Sequence, residues 1–311
     1  MNSAKVVGFA AGISLTCIWA SWTIITRLGL KTDLLIFDLF ALRLLVATLL
    51  VAPFIVYTKF WRGLTWKQYF ILGFLGGSPH TLTAYAALER TSVAHFSIFL
   101  YGMTPVLTAI AAYIVVKKKV DKSQLSGALL ILLGVLALSI DSFTTGMSRG
   151  VWLGNGIAIF STALFAGYLV FAERWNITIS QSLMACTVLN GIIYLPIWAY
   201  FRASAILQVD LSELLIQGGF QGVIPGVLSF YVMTLATQKI GANMTSLFFA
   251  LIPIASAGLA VIVLNEVLTR NILAGLLVTT FGIVVCSINW RTLRAKKKIA
   301  QCPLYLKDYG Q

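Results

Sequence analysis

Long apolar runs, separated by short polar interruptions, dominate this chain. A helix rising ~1.5 Å per residue needs roughly 20 apolar residues to cross the hydrocarbon of a bilayer. Runs of that length are read at about 5–26, 34–57, 68–88, 92–115, 123–140, 151–171, 180–201, 213–237, 243–264 and 270–289. The connections are short and leave no room for a soluble domain. The pattern predicts an all-α polytopic membrane protein with ten transmembrane helices.

The apolar pattern also repeats. Phe74, Gly76, Pro79 and Tyr85 recur 146 residues later as Phe220, Gly222, Pro225 and Tyr231. Pro105, Gly127 and Gly134 recur 148 residues later as Pro253, Gly275 and Gly282. The ten spans therefore divide five and five, with a junction at Asp141–Gly150. Five is odd, so the second half enters the membrane from the opposite face and the repeats are inverted, an architecture common among secondary transporters.

Composition agrees with this reading. The chain has 311 residues, 59% hydrophobic and 11% charged, against roughly 25% charged in a soluble domain. Its 23 Lys and Arg against 10 Asp and Glu would point to nucleic acid if they formed one surface, but they lie in loops and the tail. With ten spans, 16 of the basic residues fall on the side of the N-terminus and 6 on the other, with Arg43 alone inside a span. That bias places both termini in the cytoplasm. Met1 to Lys5 leads into the first run without a small-residue cleavage site, so that run reads as a retained helix. The four cysteines have neither metal nor disulfide spacing and read as packing residues.

Several short stretches resemble a known family. They are Trp19-Ala20-Ser21, Ala41-Leu42-Arg43, and the segment from Tyr85-Ala86-Ala87-Leu88 through Ser92-Val93-Ala94 to Thr104-Pro105. Leu264-Asn265-Glu266-Val267-Leu268-Thr269, followed by Gly275 to Gly282, closes the set. In this order they are similar to the drug/metabolite transporter superfamily, and specifically to its ten-span EamA-type branch. One departure is Lys117-Lys118-Lys119-Val120-Asp121, where the second half has Asn265-Glu266. The resemblance implies EamA-like repeats at 1–141 and 150–290, followed by a basic cytoplasmic tail at 291–311. It further implies a carrier for small metabolites, commonly an exporter, in a bacterial cytoplasmic membrane, with amino acids or related compounds as expected cargo.

In inverted-repeat carriers the substrate sits near mid-membrane beside broken helices. Pro79, Pro105, Pro225 and Pro253 remove a helix donor and crowd the preceding turn, so they are read as paired kinks that gate or hinge. Ser97, Tyr101, Thr104 and Thr108 share one helical face, and so do Trp19, Trp22 and Thr26, whose repeat partners are Phe165, Tyr168 and Ala172. These aromatics read as cavity walls or as packing. His80 follows a kink proline where the other half has Gly226, which makes it a candidate ligand or proton carrier beside Thr83. The expected substrate-binding set is Trp19, Trp22, His80, Thr83, Tyr85, Ser97, Tyr101, Tyr168 and Tyr231. Asp38 joins His80 as a possible coupling group. Arg43 reads first as a head-group anchor or a helix-pairing residue, and after these as a substrate-binding residue. The glycine steps Gly73/Gly77 and Gly218/Gly222/Gly226 read as helix packing.

No HExxH, GxSG or paired-Asp motif exists, so an intramembrane enzyme is disfavoured. Kinked inverted repeats without charged rings favour a carrier over a channel. No cofactor, metal or nucleic acid is expected; the partners are a small-molecule substrate and the lipid bilayer. Substrates of another class, such as nucleosides or vitamin-like compounds moved by uptake or exchange, form the alternative. A homo-oligomer is compatible with the pattern, but a monomer is sufficient.

Overall fold

A computed structural model describes residues 3–144 and 149–287. The basic tail at 291–311 and part of the expected junction, 145–148, lie outside the described residues. All regular structure among them is helical. In chain order the helices are α1 (Ser3–Gly29), α2 (Ile36–Thr58), α3 (Trp66–Gly76), α4 (Ser78–Arg90), α5 (Val93–Ser97), α6 (Thr104–Val116), α7 (Lys122–Thr144) and α8 (Arg149–Arg174). They continue as α9 (Ile179–Leu183), α10 (Asn190–Ile206), α11 (Leu211–Val223), α12 (Ser229–Ile240), α13 (Ala242–Ala250), α14 (Ile252–Leu264) and α15 (Arg270–Ser287). Wide π turns at Ile98–Gly102, Met184–Leu189 and Ile224–Leu228 continue α5, α9 and α11.

Among the described residues, eight helical runs are long and apolar enough to cross a bilayer. The other two spans read from the sequence correspond to α7 and to the pair α3–α4. The latter is one apolar run broken at Gly77, and each piece is too short to span alone. The four repeat prolines lie at irregular points: Pro79, Pro105 and Pro253 each stand in the first turn of the segment that follows a break, and Pro225 lies in the wide turn that continues α11. At the first three, proline removes no helical bond because the first turn has no intrahelical acceptor for its missing N–H, whereas at Pro225 the helix widens around it.

The packing is reciprocal between the halves. Helix α1 packs on α12 and α14, and α8 on α4 and α6. Helix α2 packs on α11 and α10, whereas α3 lies against the Met184–Leu189 turn. Helices α7 and α15 form the tightest pair. There the repeat glycines have a plain purpose: a Cβ on Gly134 would strike Thr279, and one on Gly282 would strike Ile131. Their absence lets the two backbones touch. Gly218 and Gly222 likewise face α2 at Leu42 and Val46, within the monomer.

The ends of the helices establish direction. Arg27, in the last turn of α1, donates from Nη1 to the carbonyls of Leu88 (2.6 Å) and Glu89 (3.0 Å) at the end of α4. The beginning of α8 arrives at the same place, with Gly154 against Arg90 and Thr91. Its far end carries Arg174, which donates to the Val115 carbonyl at 3.2 Å. Helices α1 and α8, which begin the two halves, therefore run in opposite directions.

Candidate functional site

Two breaks facing each other open a space in the middle of the bundle. Helix α3 stops at Gly77, where any side chain would collide with Asn190 and with the Gly73 carbonyl. Opposite it lies the Met184–Leu189 turn, whose backbone is wound too wide for ordinary helical bonding. Asn190 binds both breaks: Nδ2 donates to Gly73 O (3.2 Å) and Ala185 O (2.8 Å). Its Oδ1 accepts from the Ser78 backbone N–H at 3.0 Å and from the Ser78 hydroxyl. One buried amide thus satisfies backbone groups that lipid would leave bare.

Between these breaks is a cavity of about 30 Å³. Phe40, Arg43, Leu44 and Ala47 line it from one face of α2, at helical spacing. Gly76, Thr81, Cys186, Thr187 and Phe230 complete the wall. Sites for organic ligands usually enclose roughly 300–1,000 Å³, so in this conformation the space is too small for one.

Arg43 is the sole charged residue in that wall. Its Nη2 approaches Pro225 O at 3.4 Å, the outer limit of a hydrogen bond, and that carbonyl already accepts from Ser229 Oγ at 2.8 Å. Thr81, Thr187 and Cys186 are the other polar side chains in the same wall. Of the sequence readings of Arg43, pairing with another helix fits its approach to Pro225 O, and head-group anchoring does not fit a side chain that lines the central cavity. Its side chain points to the middle of the protein.

The expected aromatic residues divide into two groups. Trp22 packs on Trp19 (5.8 Å), Tyr85 (5.9 Å) and Phe96 (6.0 Å), and Trp19 also meets Tyr101 at 6.5 Å. On the other side, Phe165 stacks between His80 (4.9 Å, 21°) and Tyr168 (5.7 Å, 18°). His80 Nδ1 lies 3.0 Å from Ser161 O and 2.9 Å from Ser161 Oγ, tying α4 to α8. Tyr168 shares a hydrogen bond of 2.7 Å with Ser182. Thr83 returns its hydroxyl to the carbonyls of Pro79 (2.6 Å) and His80 (2.9 Å) on its own helix. Ser97 is fully buried, and its hydroxyl is unpartnered among the described residues. Tyr231 is 62% exposed on the outer surface of α12, apart from both groups. Its repeat partner Tyr85 is wholly buried.

Asp38 is also wholly buried and fully engaged. Its carboxylate accepts from Arg202 Nη2 (2.7 Å) and Nε (3.2 Å), Trp198 Nε1 (2.8 Å) and the Leu35 backbone N–H (3.0 Å). Arg202 and Trp198 come from the far end of α10, so Asp38 links α2 to α10.

Sequence reasoning passed over Gln217 and Gln221, both buried. Gln221 accepts from the Tyr85 hydroxyl at 3.2 Å and donates to Thr26 Oγ1 at 2.9 Å. Gln217 donates to Glu213 Oε1 (3.0 Å) and Ile25 O (3.1 Å). A polar ladder therefore runs along α11 from Glu213 to the Tyr85 hydroxyl beside Arg43. The spacing of Glu213, Gln217 and Gln221, four and four, was a legible signal, because amides in a spanning helix are costly unless they face a partner.

Comparison with known proteins places this geometry. The model of the EamA-like transporter family matches residues 6–140 and again 152–288. The uncharacterized transporter YyaM of Bacillus subtilis (strain 168) is 27% identical over 61% of this chain, and the chain spans 63% of that relative. YetK of the same organism, also an uncharacterized transporter, is 26% identical over 72% of this chain and 70% of its own. The WAT1-related protein At4g08300 of Arabidopsis thaliana is 24% identical over 92% of this chain and 86% of its own. A solved crystal structure shares the fold, with a TM-score of 0.63 and 19% identity over 92% of this chain and 98% of the other. A bundle of apolar helices, matched by the family model in both halves, is a multi-pass membrane protein of a transporter class, not an enzyme; the chain belongs to the EamA-like transporter family.

Proposed function

We propose that the protein is a secondary carrier for small amphipathic metabolites, amino acids or related compounds, working by alternating access and exporting them across the cytoplasmic membrane. The proposal takes the chain as ten spans in two inverted repeats, 1–141 and 150–290, with both termini cytoplasmic. The opposed directions of α1 and α8 support the inversion. The loop charges, 16 basic residues against 6, support the orientation.

The observation that carries the reading is the small central cavity beside Arg43, flanked by helix breaks from both halves. Breaks are where a spanning helix bends at least cost, so Pro79, Pro105, Pro225 and Pro253 are its hinges. Rocking one half against the other would open the cavity to one face at a time and enlarge it to metabolite size. The aromatic groups around Trp22 and Phe165 then form flat walls for an apolar body. For proton coupling the proposal assigns His80, because Asp38 is committed to Arg202 and Trp198.

Purified protein in liposomes tests this. The expected result is saturable flux of at least one member of a broad metabolite panel, with counterflow from the opposite side. Flux that rises linearly with concentration, or no flux of any member, overturns the carrier reading.

A further inference from the structure

We infer that the cavity receives the carboxylate of an organic monoanion, with Arg43 as the residue that binds it. The inference deepens the carrier reading and rests on it for the role of the site, while the binding chemistry stands on Arg43 alone.

A guanidinium deep in a membrane protein is costly unless an anion or several strong acceptors face it. Among the described residues the ion pairs are Arg90–Glu89, Lys118–Glu173 and Arg202–Asp38, and Arg43 takes part in none of them. The one hydrogen bond its five N–H donors make among the described residues is to a distant carbonyl, Pro225 O. That leaves most of a planar fork directed at a cavity, in a shape that fits a carboxylate bidentately.

The rest of the wall sets the charge of the ligand. No acidic side chain lines the cavity; its polar groups besides Arg43 are Thr81, Thr187 and Cys186. An ammonium would find no carboxylate there, which disfavours cations and leaves the charged amine of a zwitterion unmet. A dianionic phosphate would want a second cation, and Arg43 is alone in the wall. Phe40 and Phe230 line the same space, so the remainder of the anion is apolar. One positive charge between aromatic side chains describes a site for a monocarboxylate with a hydrocarbon body. Of the expected cargo, deaminated relatives of branched or aromatic amino acids fit better than the amino acids themselves.

The test compares matched triplets on the purified full-length protein by thermal unfolding. The probes are phenylacetate, phenylacetamide and phenethylamine, then isovalerate, isovaleramide and isoamylamine, at neutral pH. Only the carboxylates should raise the melting temperature. Arg43→Gln should weaken their binding at least tenfold, and Arg43→Lys should weaken it less. Equal stabilisation by amides or amines, retained affinity in Arg43→Gln, or no shift with either carboxylate at millimolar concentration overturns the inference. Should Arg43→Gln fail to fold, Arg43→Lys and the wild-type comparison of acid with amide still decide it. Flux in liposomes separates the two proposals. Carboxylate binding without flux sinks the carrier and leaves the Arg43 site; flux of a neutral or cationic compound, with no carboxylate bound by the wild type, sinks the Arg43 site and leaves the carrier.

Discussion

Arg202 and Asp38, 164 positions apart in the chain, are joined by two hydrogen bonds of 2.7 and 3.2 Å between the end of α10 and the first turn of α2. The Asp38 carboxylate is wholly buried, while Arg202 remains partly exposed. This ion pair fastens α10 to the start of α2, the helix that lines the cavity from Phe40 to Ala47.

Removing the cation should cost more than removing the anion. Arg202→Ala strands a buried carboxylate and is expected to destabilise the fold by about 3 kcal/mol or more. Asp38→Asn keeps an acceptor for Trp198 and should cost roughly 1–2 kcal/mol. Thermal unfolding of both variants in detergent checks the order, and a smaller loss in Arg202→Ala contradicts it.

The assignment of coupling to His80 predicts a split in pH behaviour. His80→Gln should flatten the pH dependence of flux measured from pH 4 to 8, because His80 is the titratable side chain to which coupling is assigned. Asp38→Asn should leave that profile in place while lowering stability. Liposome flux measured across this range with an imposed gradient reads both; an unchanged profile in His80→Gln removes His80 from the mechanism.

Gly77 predicts a packing cost at the break. A methyl there would run into the Asn190 amide and the Gly73 carbonyl. Gly77→Ala should therefore cost roughly 1–3 kcal/mol as overpacking, and flux should fall with it. Gly219→Ala makes a clean comparison on another spanning helix, because nothing stands near that position. Unfolding and flux of the pair are the measurements.

Cys186 lines the cavity, while Cys17 is exposed on the outer surface. With Cys17→Ala, Cys286→Ala and Cys302→Ala in place, Cys186 should react with a membrane-permeant maleimide slowly, and only as the cavity opens. A transported ligand should slow that reaction at least severalfold. Rapid labelling, insensitive to every ligand that is transported, would contradict a closed cavity at the centre of the cycle.

The repeat partners Tyr85 and Tyr231 should behave differently. Tyr85→Phe removes the donor to Gln221 inside the protein and should cost about 1–3 kcal/mol. Tyr231→Phe, on an exposed surface, should change stability by less than about 0.5 kcal/mol and leave flux intact. Paired unfolding curves decide the matter.

What the sequence determined by itself was a set of along-chain properties. Apolar run length marked the helices, and the proline offsets marked where they break, because a missing N–H acts within one turn of its own residue. The repeat and the resemblance of short stretches such as Trp19-Ala20-Ser21 were enough to identify the family. The centre was only partly legible. Trp22, Tyr85 and His80 are found in the interior around Arg43, whereas Tyr231, chosen by the same symmetry, faces outward. Arg43 and Asp38, five positions apart on one helix, looked alike as isolated charges near its start. Only tertiary structure separated them, because the energy of a buried charge depends on what stands opposite it. Arg202, 164 residues away, neutralises Asp38, while Pro225, 182 residues beyond Arg43, offers it no more than a distant carbonyl.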